Sequence, residues 1–166
     1  MYSLKKIISG GQTGVDQAAL NAALELNIGC GGRCPPGRVC ENGNIPGNLP
    51  LTETPVERSK IAPDIPRSLR TEWNVRDSDA TLILKPPGLN DDKGTNWTLQ
   101  CVEIYGKKSL ILDPFENRSS NILREWLSTN QVRTLNIAGP DEKTCPGIGE
   151  KSYNFLLQAL ESQRTG

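Results

Sequence analysis

The residues best suited to chemistry in this chain are Ser9-Gly-Gly-Gln-Thr-Gly-Val-Asp16, where Gly10, Gly11 and Gly14 bracket the polar pair Gln12 and Thr13. Glycine has no Cβ, so the main chain can turn sharply there and approach a ligand closely. Apolar side chains at helical spacing follow over residues 15–27. The first amides of a helix lack intrahelical partners and face any bound anion. A phosphate seat is one reading of the run, with Gln12 and Thr13 as added donors. A tight turn in which Thr13 or Asp16 satisfies the helix start is the other. No Gly-Lys-Ser/Thr closes the run, and its glycines lack the Gly-x-Gly-x-x-Gly spacing, so neither an ATPase loop nor a dinucleotide fingerprint is present.

Four further groups could join such a seat. Arg70-Thr-Glu-Trp-Asn-Val-Arg-Asp-Ser-Asp79 offers arginines whose planar fork matches phosphate, while Asn74, Asp77, Ser78 and Asp79 could receive donors from a base or pterin ring. Capping and surface ion pairs explain the same residues without a ligand. Trp73 suits either a stacking wall or the core. Lys93-Gly-Thr-Asn-Trp-Thr98 places Gly94, Thr95 and Asn96 at an expected helix start, with Thr98 one turn on, repeating the logic of the first loop. Cys34-Pro-Pro-Gly-Arg38 could cover the crevice and bring Arg38 to an anion, and Gly139 ends a strand at the same expected rim. A bulky residue at Gly11 is then expected to abolish ligand binding and spare the fold.

Composition removes several alternatives. The 166 residues fit one domain, 1–166, and need no disulfide or metal to hold a core. Nineteen basic and nineteen acidic residues cancel, and no stretch collects four or more Lys or Arg, which speaks against nucleic acid as partner. Histidine is absent, so Ser-His-Asp and Cys-His nucleophiles and His-ligated metals are excluded. Cys30, Cys34, Cys40, Cys101 and Cys145 form no paired Cys-x-x-Cys pattern and read as free thiols, with no metal site. Apolar runs are short, and no apolar signal segment follows the first residues, so a cytoplasmic protein without membrane association is expected.

The elements that must position these residues alternate between strand and helix: strands near residues 6–9, 80–85, 109–112 and 134–138, helices near 15–27, 67–74, 96–105, 120–127 and 148–160. A Rossmann-like α/β three-layer sandwich with a mainly parallel sheet follows, its ligand site beyond the carboxyl ends of the strands. Residues 29–66 are rich in Pro and Gly and read as a long functional loop, with a second loop over residues 86–91.

Taken together, Gly10-Gly-Gln-Thr-Gly-Val-Asp16, Cys34-Pro-x-Gly-Arg38, Arg70-Thr, Asn74-Val-x-Asp-Ser-Asp79, Leu82-Ile-Leu84, Gly94-Thr95 with Thr98, and Leu135-Asn-Ile-Ala-Gly-Pro140 resemble the molybdenum cofactor carrier family. That family belongs with YpsA-like and lysine-decarboxylase-like proteins in a Rossmann-like group that includes phosphoribohydrolases. The resemblance implies a homo-oligomer, dimer or tetramer, that binds molybdenum cofactor, a pterin bearing a terminal phosphate. It would protect the cofactor and deliver it to molybdoenzymes without converting it. Pro36 stands where members commonly have Lys. Thr98 stands where the phosphoribohydrolases have a Glu, and a hydroxyl cannot replace a carboxylate acid or base. No catalytic residue is therefore assigned. A nucleotide or nucleoside-phosphate hydrolase using Asp16, Asp77 or Asp79, and a nucleotide-sensing module, are the competing readings.

Overall fold

A computed structural model describes residues 2–89 and 92–166; Asn90 and Asp91, at the end of the second expected loop, lie outside the described residues. Among the described residues nine strands form: β1 (Lys6–Ile8), β2 (Gly29–Gly31), β3 (Arg33–Cys34), β4 (Val39–Cys40), β5 (Gly43–Asn44), β6 (Thr52–Glu53), β7 (Ala80–Leu84), β8 (Lys108–Leu112) and β9 (Thr134–Ala138). The α-helices among the described residues are α1 (Val15–Glu25), α2 (Ser68–Arg76), α3 (Lys93–Ile104), α4 (Ser119–Thr129) and α5 (Ile148–Leu160). The main sheet runs β2-β1-β9-β7-β8, with every pairing parallel. Parallel strands put all their carboxyl ends on one side, so the loops after β1, β7 and β9 converge there.

Two helical layers cover the sheet and complete the three-layer sandwich. On one face, α1, α4 and α5 pack Ala19, Leu123 and Leu156 against Ile7, Leu82 and Leu135, all buried. On the other, α2 and α3 enclose Val75, Trp97 and Cys101. Trp97 is buried without losing its polar partner, because its indole Nε1–H donates to the Ser68 carbonyl at 2.9 Å.

Residues 29–66 hold more order than their composition suggests. β2 is an edge strand of the main sheet, β3 pairs with β6, and β4 and β5 form a hairpin. Leu20 of α1 packs with Cys34, Cys40, Ile45 and Leu49, fastening the segment to the sandwich. Its proline-rich stretches interrupt pairing, so each strand is only two or three residues long.

Candidate functional site

A cavity of about 190 Å³ opens at the carboxyl ends of β1, β7 and β9. Its walls come from Gly10, Gln12 and Asp16 after β1, from Asn136 to Pro140 of β9 and its exit, and from the amino-terminal halves of α2 and α3. Strand ends in open parallel sheets place ligand crevices at such positions.

The central contact is an ion pair. Arg70 Nη1 donates to Asp16 Oδ2 at 2.8 Å, with the Asp16 side chain 4 % and the Arg70 side chain 18 % exposed. Burial pushes the Asp16 carboxyl above its ordinary range. The Arg70 charge, the Gln12 amide, the Ser9 side chain and the hydrogen bond from Arg70 oppose that shift. The Nε–H of Arg70 is buried and has no partner. Among the described residues it is a buried donor of the cavity wall left without a partner, and such a group calls for one.

Gly10 makes this pair possible: a Cβ there would lie 1.7 Å from Arg70 Nη1. Gly11 has another task. It holds φ +84° and faces Leu51 and Ile45, 2.6 and 2.8 Å from where a Cβ would stand. A bulky residue at Gly11 would thus press into the packing of residues 45–51 instead of into the cavity, which corrects the expectation that only binding would suffer. Gly139 does line the cavity, and the Leu84 carbonyl and Val15 side chain leave it no room for a Cβ.

The glycine loop does not present a row of free amides. The N–H of Gln12 donates to Asp16 Oδ2, that of Thr13 to Gln12 Oε1, and that of Val15 to the Pro140 carbonyl. Thr13 faces away from the cavity: its hydroxyl donates to Glu41 Oε1 at 2.6 Å and accepts the Glu142 N–H. Gln12 also receives the Glu41 N–H at 2.7 Å, so these side chains clamp the β4–β5 hairpin to the loop. Gly14 sits with Thr13 beside a separate surface groove.

At the second helix start, Gly94, Thr95 and Thr98 line the cavity, while Asn96 is exposed and outside its wall. Asp92 caps α3, accepting from the Gly94 N–H at 3.0 Å and the Thr95 hydroxyl at 2.5 Å. Thr98 donates back to the Gly94 carbonyl. The cap moves the helix start to Lys93, before the expected residue 96.

Four other expected residues belong elsewhere. The guanidinium of Arg38 holds the carbonyls of Pro46, Leu49 and Leu51 and shapes residues 46–51, away from the cavity. Asp77, Ser78 and Asp79 precede β7 and so stand at the opposite end of the sheet. There Asp77 pairs with Arg76, the Ser78 hydroxyl donates to the Val75 carbonyl, and Asp79 receives the N–H groups of Arg133 and Thr134 at 2.9 and 2.8 Å. Asp79→Ala should therefore cost about 1 kcal/mol in urea unfolding and leave ligand affinity unchanged in calorimetry. Asn74 lines the cavity, but its amide is fixed to the Arg33 main chain through both Oδ1 and Nδ2. Trp73 serves neither as cavity wall nor as full core anchor: it is half-buried, with the guanidinium carbons of Arg33 and Arg76 5.2 and 4.6 Å from its ring centre.

Other wall residues were not singled out by sequence. Asn136, buried in β9, reaches Thr81 at 3.2 Å. Arg67 adopts the left-handed conformation, φ 59°, just before α2 and lines the cavity with Lys93. A non-glycine residue in that region is uncommon and marks a position fixed by its surroundings. The cations Arg67, Arg70 and Lys93 face the carboxylates Asp16, Asp92 and Asp141 in the same wall. The wall thus carries no surplus of either charge among the described residues. All five cysteines are free, and burial raises the thiols of Cys30, Cys34 and Cys145, and that of Cys101 to about 12, which disfavours thiolates. Among the described residues no three His, Cys, Asp or Glu side chains converge as a metal site, and no helix is long and apolar enough to cross a membrane.

The model of the circularly permutated YpsA SLOG family matches residues 7–160. The chain belongs to that family. Within the same structural class, this SLOG-family chain is similar to the crystal structure of a protein from Syntrophus aciditrophicus SB named "putative molybdenum carrier protein". The TM-score is 0.85 at 34 % identity, covering 96 % of each chain. Comparison with curated proteins gives no match.

Proposed function

We propose that this protein binds a phosphate-bearing small molecule, the molybdenum cofactor, in the cavity between β1, β9, α2 and α3, and carries it without breaking a bond. The observation that carries this reading is the state of the three carboxylates in the wall. Asp16 is engaged by Arg70 and the Gln12 amide, Asp92 by Gly94 and Thr95, and Asp141 by the Thr144 N–H at 2.7 Å. Each accepts from the protein's own donors, Asp92 through both oxygens and Asp16 and Asp141 through one, and these bonds hold the carboxylates in the wall, which favours binding over proton transfer to a substrate. Arg70, with its unpartnered Nε–H, supplies a charge-assisted donor for phosphate, and Arg67 and Lys93 supply two more cations at the same wall. Gly94 allows close approach, and Asn74, Thr98 and Asn136 offer neutral polar contacts. The name of the Syntrophus protein supports the choice of cargo.

Size sets the pose. The cavity of about 190 Å³ is smaller than the roughly 300–1,000 Å³ that encloses a whole drug-sized ligand. The phosphate end is held inside, and the fused ring system extends to the mouth. Molybdoenzymes in the cytoplasm would receive the cargo.

A buried carboxyl raised above its usual range beside a cleft is also what a hydrolase needs, and Asp16 has that property. The test is to mix the purified protein with molybdenum cofactor, pterin phosphate and a nucleotide panel, measure binding by calorimetry and search the mixtures for products by mass spectrometry. Tight cofactor binding with no product is expected. A nucleotide product that disappears in Asp16→Asn would replace carriage with hydrolysis.

A further inference from the structure

A second polar cavity, of about 270 Å³, lies on the α2 face of the main sheet toward the amino ends of β1 and β9, where Lys6 and Thr134 are the first residues of their strands. Ile7 belongs to the core beneath α1, α4 and α5, so by alternation Lys6 turns to the other face. Arg33 and Thr52, opposite one another in β3 and β6, form one side of the cavity, and Asn74 and Asp77 at the end of α2 form another.

Charge is distributed differently here than at the carboxyl ends of the strands. Among the described residues neither Lys6 nor Arg33 forms an ion pair. Asp77, the carboxylate of this wall, is held by Arg76 through both oxygens, at 2.8 and 3.1 Å. Two cations therefore face the cavity, against a carboxylate whose charge is already matched. Both are held in place. The main chain of Arg33 is pinned by Asn74, whose Oδ1 accepts its N–H at 2.8 Å and whose Nδ2 donates to its carbonyl at 3.1 Å. Its guanidinium carbon stands 5.2 Å from the Trp73 ring centre, a contact that holds the side chain and engages none of its five N–H donors. Lys6 lies over β2: a Cβ at Gly31 would stand 3.3 Å from its Cε and 3.5 Å from its Nζ, so glycine there leaves the ammonium room.

A braced guanidinium fork beside an ammonium, with the hydroxyls of Thr52 and Thr134 in the same wall, supplies the donors that a tetrahedral oxyanion accepts. We propose that this cavity is a second anion site, which takes a small tetrahedral oxyanion, either free as phosphate or sulfate or as the terminal group of a phosphomonoester. Asn74 lines both cavities, but the cations of each are its own: Arg67, Arg70 and Lys93 in one, Lys6 and Arg33 in the other. The second site and the carriage reading therefore stand or fall separately.

Nuclear magnetic resonance during titration with inorganic phosphate, at constant ionic strength and with chloride as the reference salt, tests the site residue by residue. Saturable shifts are expected at the Gly32, Arg33 and Thr134 amides and at the Trp73 indole, and none in chloride. Arg33→Gln should weaken phosphate binding about tenfold, the loss of one hydrogen bond to a charged group, and Lys6→Gln, at an exposed position, should weaken it less. The double variant should abolish saturation while its circular dichroism spectrum stays that of the wild type. Sulfate and pterin phosphate separate the sources: a response to phosphate and sulfate supports a site for the free ion, and a response to pterin phosphate alone supports one for the esterified group. The Gly94 and Thr95 amides report the other cavity in the same spectra, so silence there leaves this site standing. Shifts without saturation, equal shifts in chloride, or wild-type affinity in Arg33→Gln would overturn it.

Discussion

Arg70→Ala is expected to remove ligand binding and to lower stability by about 3 kcal/mol near neutral pH, the low end for breaking a buried ion pair, because Arg70 is 18 % exposed and partly screened. The loss comes from Asp16, which stays buried with no compensating cation. Its sign depends on pH. Burial already raises the Asp16 carboxyl, so the folded state holds the proton more firmly than the unfolded chain does. Stability from this group is fully present below the ordinary carboxylate range and is lost as pH rises through the raised value. Removing Arg70 removes the largest opposing influence and raises the carboxyl further. The difference between variant and wild type should therefore be smaller at about pH 5 than at about pH 8, measured by urea unfolding at both. An equal loss at the two values would mean that Asp16 is not the group left uncompensated.

Gly10→Ala should weaken ligand binding at least tenfold, about 1.4 kcal/mol, and cost stability in the same way as Arg70→Ala, because the displaced Nη1 is the atom that compensates Asp16. The added Cβ would stand 1.7, 2.7 and 2.8 Å from Nη1, Cζ and Cδ of Arg70. Those atoms belong to a long side chain with many rotamers, so the arginine swings away and the main chain stays. What is lost is the fixed direction of its remaining donors, and pre-organised direction is what a guanidinium contributes at a phosphate site. Gly47→Ala, where a Cβ meets nothing within 4 Å, is the control. Calorimetric titration with pterin phosphate reads both variants. Unchanged affinity in Gly10→Ala would remove Arg70 from the binding site even if the fold were intact.

Much of the fold was legible because local periodicity carries it. β9 and α5 form over the residues expected, since a short apolar strand and a helix with a continuous buried stripe leave little choice. β2 escaped notice because Gly-Cys-Gly has neither alternation nor β-branched residues; neighbouring β1 supplies its pairing. The glycine-rich loop was visible, but which glycine faces the cavity and which faces Leu51 depends on chain folded back from residues 45–51.

Sequence by itself determined the layered α/β class, the placement of a polar site at strand ends, and the absence of histidine chemistry, because composition and period are properties of the chain alone. Tertiary structure decided which polar residues share that site. A polar cluster beside a strand reads the same whether it precedes or follows it, yet Asp77, Ser78 and Asp79 stand at the amino end of β7, with the cavity at the other. Asp16 and Arg70 are 54 residues apart and meet only because α2 crosses the crevice opened by β1. The pairing of a buried carboxylate with a distant arginine is set by packing, and no local pattern encodes it.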